Sequence, residues 1–316
     1  MLTNPLFFEP ELIEWDYTDT ILVTAYDLLK NDSLVYFLQS RGYTLKEYIR
    51  ELGFPKQTKI FADSGVFLLE WIKKAKSSSL QQSFSTVKLR IEDIIEAYQL
   101  IDPDFLVPLD EIIFSYDSES VVKQKVSTMK DNIVTTLEFF PTKKIVGVIQ
   151  GVNEETIYSL VDFEKEQGIR TFARGGLIPL YYTKHYCEAI HITREATKGY
   201  KLHAFGITKI AQIDCYAKCI GMDSFDSTIV KPLTSSLYFL EEDLKKKPFN
   251  EESVINCNCK YCSRIEEMLD RGITHPNFYF LVNLYLHNIT QLYNYSKKLK
   301  PVLFSTDLAY PTPQVM

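Results

Sequence analysis

The feature that most constrains this chain is a unit that recurs along it. Each unit is a short apolar run, a polar or glycine tip, then a segment with helical spacing. The strand candidates are Ile21-Leu22-Val23-Thr24-Ala25, Lys59-Ile60-Phe61-Ala62, Asp104-Phe105-Leu106-Val107-Pro108-Leu109, Ile145-Val146-Gly147-Val148-Ile149, Thr171-Phe172-Ala173, Leu202-His203-Ala204-Phe205 and Ser224-Phe225. They end in Tyr26-Asp27, Asp63-Ser64-Gly65, Asp110-Glu111, Gln150-Gly151, Arg174-Gly175-Gly176, Gly206 and Asp226. Helical patterns fill 44–52, 66–76, 90–101, 119–138, 153–167, 182–197 and 209–220. Strands alternating with helices predict a parallel sheet with helical crossovers. The number of units favours an α/β fold of the closed (β/α)8 barrel type over an open sheet. No G-x-G-x-x-G follows the first strand, which weakens a dinucleotide-binding sheet. Ser77-Ser78-Ser79 to Ser85 reads as a polar, mobile insertion.

A second feature lies downstream, in Cys257-Asn258-Cys259-Lys260-Tyr261-Cys262 and, about a helix later, His287. A C-x-C-x2-C turn can present three sulfurs on one side. His287 lies in 276–298, where apolar positions fall at helical spacing and would bring the imidazole over the turn. Cys3His suits tetrahedral zinc, and four protein donors leave no open position, so the expected Zn2+ is structural. The plain alternative is three free thiols and a surface histidine, but the cluster is too dense for that. A disulfide is disfavoured, because the other cysteines are scattered and no signal peptide is read. The expected organisation is one barrel domain over 1–316 with a zinc-binding subdomain, inserted or appended, at about 245–300.

Composition matters here mainly for partners. The 316 residues are 46% hydrophobic with a formal net charge of −6. That supports a sizeable core and argues against a generally basic nucleic-acid coat. Lys73, Lys74 and Lys76, then Lys245 to Lys247, then Lys297, Lys298 and Lys300 are local basic clusters. Each reads first as a solvated helix face. No apolar run reaches membrane-spanning length, so no membrane partner is expected. The start Met1-Leu2-Thr3-Asn4 carries no basic region before its apolar residues, which predicts a soluble, reducing, cytoplasmic setting.

In a barrel the strand C-termini share one mouth, so the tips should converge. The set is Asp63, Asp110, Gln150, Gly175-Gly176, Gly206 and Asp226: three carboxylates with no histidine among them. Carboxylates could hold Mg2+ for hydrolysis. One could attack an anomeric carbon while another moves a proton. Aspartate, glutamine and glycine N–H could also read a purine edge. A tip aspartate taken singly is commonly a helix N-cap.

Several segments together resemble the tRNA-guanine transglycosylase superfamily. They are Phe61-Ala62-Asp63-Ser64-Gly65-Val66-Phe67, Pro108-Leu109-Asp110-Glu111, Val148-Ile149-Gln150-Gly151, Arg174-Gly175-Gly176-Leu177, Leu202-His203-Ala204-Phe205-Gly206 and Asp223-Ser224-Phe225-Asp226. With the C-x-C-x2-C and His287 set they span 61–288 in the family's order. The resemblance implies Asp226 as nucleophile at C1′ and Asp63 as acid and base. It implies Asp110 as acceptor from the guanine N1–H and amino group. Gln150 and the Gly175-Gly176 backbone would address the guanine carbonyl oxygen, and Phe67 and Phe205 would sandwich the purine ring. A covalent intermediate on a carboxylate splits one substitution into two, and a base inside a duplex must be flipped out to reach such a pocket.

The chain departs from the tRNA enzymes after the nucleophile. They carry a Cys-Val-x-Pro-Thr-Arg-like run whose arginine helps read the anticodon loop. This chain has Ser227-Thr228-Ile229-Val230-Lys231-Pro232. That difference makes it most similar to the DNA 7-deazaguanine transglycosylases of phages and bacteria. The implied reaction exchanges guanine in DNA for a 7-deazaguanine such as 7-cyano-7-deazaguanine, in host cytoplasm if the protein is phage-encoded. The alternatives are the same exchange on tRNA, a non-catalytic nucleic-acid-binding subunit, and an unrelated barrel hydrolase holding Mg2+. The family is often dimeric through its zinc region, which implies a possible homodimer.

Overall fold

The computed structural model describes residues 20–67, 89–181, 183, 185–214, 216, 221–227, 229–249, 257–275 and 277–299. The polar insertion at Ser77–Ser85, most of the 66–76 helix, Lys73, Lys74, Lys76 and Lys300 lie outside the described residues.

Among the described residues seven parallel strands follow one another in chain order. They are β1 (Thr20–Thr24), β2 (Lys59–Asp63), β3 (Phe105–Leu106), β4 (Gly147–Ile149), β5 (Thr171–Arg174), β6 (Lys201–Ile207) and β7 (Ser224–Ser227). β1-β2-β3 pair in one sheet and β4-β5-β6-β7 in another. A single parallel bridge, Leu106 with Ile145, joins the two, and Val146 N–H donates to Leu106 O at 2.9 Å. The strands are short apolar runs because both faces are covered. Period-two alternation sends Ile21, Val23, Ile60, Ala62, Leu106, Ile149, Phe172, Leu202 and Ala204 into the larger core under the helices. The opposite face sends Leu22, Phe61, Val107, Val146, Val148 and Ala173 into a smaller cluster, with Phe105 and Phe205 against it. Phe61 on β2 meets Phe205 on β6 at 5.7 Å between ring centroids, so the sheet is strongly curled. Asp27, just past the β1 end, lies near enough to Lys231, in the segment after β7, to feel its charge.

The helices begin where the sequence supplies caps. Thr44 and Glu47 form a reciprocal capping box at Leu45–Glu51. Asn153 accepts from Thr156 N–H at the start of Glu154–Glu166. Tyr98, fully buried on Ile91–Ile101, donates its hydroxyl to Val107 O at 2.7 Å and ties that helix to the β3 end. The pattern over 182–197 holds one helix, Tyr186–Ala196, and a short helix, Leu177–Leu180, precedes it.

Beyond β7 the alternation stops. Among the described residues no eighth parallel strand follows β7, and Tyr238–Leu240 (β8) and Lys246–Pro248 (β9) form an antiparallel hairpin. Its Phe239 packs with Cys262, Ile265, Phe280 and Leu284 from the helices Lys260–Asp270 and Phe278–Lys298. Asn288 holds the hairpin on the last helix: its Oδ1 accepts from Leu240 N–H at 2.8 Å and its Nδ2 donates to Tyr238 O at 2.9 Å. No described helix is long and apolar enough to cross a membrane.

One buried carboxyl stands out in the helix–sheet layer. Glu164 is 0% exposed and packs against Gly147, where an added Cβ would lie 2.2 Å from its Oε2. Val148 N–H is near enough to favour the charged form, yet neither carboxyl oxygen has a hydrogen-bond partner of good geometry among the described residues. Burial pushes its pKa up from 4.5 to about 8. The folded state therefore binds this proton more tightly than the unfolded chain, so stability falls as pH rises from 4.5 through about 8. Asp63 and Asp110 act in the same direction but stop at about 7 and about 6. Denaturant titrations should show the unfolding midpoint falling across this range. Glu164→Gln should flatten the part of the slope above about pH 7, and an unchanged slope would rule out the buried, protonated carboxyl.

Candidate active site and metal centre

The strand tips meet at one end of the curled sheet. Asp63, the last residue of β2, accepts from Gly65 N–H at 3.2 Å. Its carboxyl keeps some contact with the mouth while lying deep among protein atoms. Burial first, then the charges of Asp110 and Asp226, raise its pKa to about 7. Asp110 is 6% exposed and accepts from Gln150 Nε2 at 2.7 Å and from Ser64 Oγ at 3.4 Å. Burial lifts it to about 6, with the Gln150 hydrogen bond opposing.

Gln150 is itself buried, and its Oε1 has no hydrogen-bond partner among the described residues. Gly175 and Gly176 lie directly against its amide. A Cβ on Gly175 would fall 2.4 Å from Nε2, and one on Gly176 would fall 2.6 Å from Oε1. Gly176 also has φ +65°, a left-handed conformation that glycine adopts without strain. Only glycines leave room for the amide in that wall.

Asp226 lies near the end of β7 with its side chain 11% exposed. Its Oδ1 accepts from Gly206 N–H at 2.9 Å and lies 3.3 Å from His203 Nε2. His203 Nδ1 lies 2.9 Å from Ser224 Oγ. With Nε2–H donating to the carboxylate, Nδ1 accepts from the Ser224 hydroxyl. The reading of the tips as carboxylates without a histidine is therefore corrected. His203 was legible only as a strand residue, but period two places it and Phe205 on the same inward face of β6. Phe205 packs at 4.8 Å on His203, and Phe61 closes the other side at 5.4 Å from the imidazole. Phe67 sits half-buried in the helical residues that follow Gly65.

Asp223 lies three residues before Asp226 and does different work. Its Oδ2 accepts from Leu202 N–H at 2.8 Å and pairs with Arg194 at 3.7 Å, so it pins β6 to the chain entering β7. The described basic clusters are met by acids: Lys245 by Asp243, Lys247 by Glu241 and Lys298 by Glu242.

The second site is the sulfur cluster. Ligand atoms of Cys257, Cys259, Cys262 and His287 lie within 4.8 Å of one another. Cys259 Sγ is 3.5 Å from Cys262 Sγ, and His287 Nδ1 is 3.4 and 3.0 Å from those two sulfurs. A tetrahedral thiolate site with metal–sulfur bonds of about 2.3 Å has edges of roughly 3.7 Å, so the donor set fits a metal ion. His287 is 1% exposed and donates Nε2–H to Leu240 O at 2.9 Å, which turns Nδ1 toward the sulfurs. Gln291 Nε2 donates to Cys257 Sγ at 3.2 Å. Hydrogen bonding with Cys262, and then with His287, draws the pKa of the Cys259 thiol down.

Fold and site together define an α/β protein with three carboxylates at the C-terminal ends of parallel strands and a Cys3His metal-type cluster in its C-terminal region. A family model described as queuine tRNA-ribosyltransferase matches residues 14–306. The chain belongs to this family, and through it to the tRNA-guanine transglycosylase superfamily. No curated protein matches the chain.

The crowding at Gln150 can be tested directly. Gly176→Ala must displace the amide and strain φ, so it should destabilise the fold by about 1 kcal/mol or more in a denaturant titration. Gly199→Ala is the comparison, since it also has positive φ but no atom within 4 Å of the added carbon. Equal costs at the two positions would show that backbone strain alone, not the amide contact, restricts Gly176.

Proposed function

We propose that the protein exchanges guanine in DNA for a 7-deazaguanine, such as 7-cyano-7-deazaguanine, through a covalent glycosyl intermediate on Asp226. The observation that carries this reading is the division of labour between two neighbouring carboxylates. Asp226 is oriented through Oδ1 by Gly206 N–H and His203. Asp63, close enough to feel its charge, has a pKa of about 7 and can hold or release a proton near neutrality.

In the first half-reaction Asp226 Oδ2 bonds to C1′ as the bond from C1′ to guanine N9 breaks. The electron pair stays on the base, and the Asp63 proton neutralises it. In the second half the incoming base gives its N9 proton to Asp63, N9 attacks C1′, and Asp226 leaves as a carboxylate. One glycosidic bond is exchanged for another, so no nucleotide triphosphate is required. Asp110 accepts from the base N1–H and amino group, Gln150 and Gly176 N–H address its carbonyl, and Phe67 and Phe205 cover its faces. A flipped-out nucleotide gives the pocket its substrate.

Closure of the curled sheet into a (β/α)8 barrel, with the zinc subdomain at about 245–300, belongs to the same reading. So do a cytoplasmic location and a homodimer through the metal region. Zn2+ on Cys257, Cys259, Cys262 and His287 would contribute folding free energy and no chemistry at the base. Metal analysis should find about one equivalent of zinc, lost in Cys259→Ser together with stability of the C-terminal region. A metal-free intact protein would remove this part of the proposal.

DNA is preferred over tRNA because no arginine follows Asp226 within Ser227-Thr228-Ile229-Val230-Lys231-Pro232. Exchange on tRNA is the second reading, favoured by the description of the matching family. Incubation with radiolabelled guanine and separate DNA and tRNA acceptors distinguishes them. Label should enter DNA; label entering tRNA alone reverses the preference.

The carboxylates can be separated on a denaturing gel. Asp226→Asn should abolish the covalent nucleic-acid adduct while free-base binding persists. Asp63→Asn should slow exchange on the order of 10²-fold or more and leave some trapped adduct. Asp223→Asn should cost less than either. An adduct that survives in Asp226→Asn and vanishes in Asp63→Asn would move the nucleophile to Asp63. The wild-type exchange rate should also fall on both sides of about pH 7, because Asp63 must serve as acid and then as base.

A further inference from the structure

Arg174 has no part in the steps above, yet its burial is exceptional for its chemistry. It ends β5, is 1% exposed, and is among the largest fully buried side chains. Its Nη1 donates to Ile149 O at 2.9 Å and its Nη2 to Gly151 O at 2.5 Å. Those two carbonyls flank Gln150. No ion pair to Arg174 exists among the described residues, and its Nε is buried without a partner. Burial lowers its pKa to about 10, which leaves it charged at neutrality.

Burying an unpaired cation is costly, and bonds to neutral carbonyls offset only part of that cost. Strand pairing does not need it, since β4 and β5 already pair from Gly147 to Ile149. What the guanidinium adds is geometry, because its planar fork fixes two acceptors at once. The chain turns sharply straight after Gln150, at Gly151 with φ +99°. A clamp on both flanking carbonyls stops Gln150 from swinging with that turn. The next two residues, Gly175 and Gly176, wall in the amide itself. Three successive residues of one tip thus address a single side chain.

We propose that Arg174 is a positioning residue that fixes Gln150 for recognition of the base carbonyl oxygen. The inference rests on the base-exchange reading, in which Gln150 touches that oxygen. It assigns Arg174 to base specificity and not to the covalent step.

The test compares guanine with 2-aminopurine, which lacks the carbonyl oxygen and with it the N1–H but keeps the amino group. Calorimetric binding of each is measured for the wild type, Arg174→Lys, Gln150→Ala and the double variant. Arg174→Lys keeps the charge and loses the fork. Each single variant should weaken guanine on the order of tenfold and 2-aminopurine by clearly less. The double variant should bind guanine no more weakly than Gln150→Ala alone. Additive losses, or equal losses for both bases, would overturn the inference. A wild type that binds no guanine overturns the base-exchange reading beneath it and is recognised because it appears without any substitution. If Arg174→Lys does not fold, nitrogen-15 NMR of the wild type decides. The Arg174 guanidinium resonances should shift on addition of guanine and not of 2-aminopurine, and resonances unmoved by guanine would overturn the inference.

Discussion

The contact on which the site depends is that of Phe61 with His203 and Phe205 across the inside of the sheet. These residues lie on β2 and β6, strands that share no hydrogen bond. Their rings fill the curl, and filling it draws the ends of β2 and β7 close enough for Asp63 to feel the charge of Asp226. On a flat sheet the same carboxylates would stand apart in water, and Asp63 would have an ordinary affinity for its proton. The apolar cluster inside the sheet thus sets the electrostatics at its mouth. Burial contributes most of the rise at Asp63, and the neighbouring carboxylates add the rest.

The metal cluster organises a different part of the chain. β8, β9 and the last two helices share a small core around Phe239, Ile265, Phe280 and Leu284. A core of that size gains from a staple, and His287 provides one at two points. One nitrogen faces the sulfurs while the other holds the Leu240 carbonyl. Asn288, the next residue, also donates to Thr234 Oγ1 at 3.2 Å, on the helix Val230–Ser235 that follows the Asp226 strand. The sulfur cluster and the carboxylate mouth are therefore mechanically connected through one short helix.

Much of this was legible in the sequence, for reasons that can be named. Parallel strands buried on both faces leave apolar runs such as Ile21-Leu22-Val23, and their polar ends mark the mouth. Cysteines at C-x-C-x2-C spacing declare themselves because sulfur is rarely crowded by chance. His203 was harder. It sits inside a strand, and its role appears only when β6 and β7 lie side by side and its ring reaches Asp226. Arg174 read as one letter of a glycine-rich tip, since nothing local says that its side chain turns back under Gln150. The β8–β9 hairpin was also hidden: Lys246, Lys247 and Pro248 are exposed and carry no alternating pattern. The short helix Leu177–Leu180 was hidden as well, because four residues with a proline among them are too few to show helical spacing.

Gly147 and Glu164 share one volume: the carboxyl of the second occupies the space where the first would carry a side chain. Neither position can therefore drift alone. A larger residue at 147 requires a shorter one at 164, and a shorter residue at 164 leaves a void that a methyl group at 147 could fill. Related chains should vary at these two positions in concert, and the pair can serve as a marker of how the helix is seated on the sheet. A chain with alanine at 147 and a shorter, uncharged residue at 164 would lack the buried proton, and its stability would respond differently to the acidity of its surroundings.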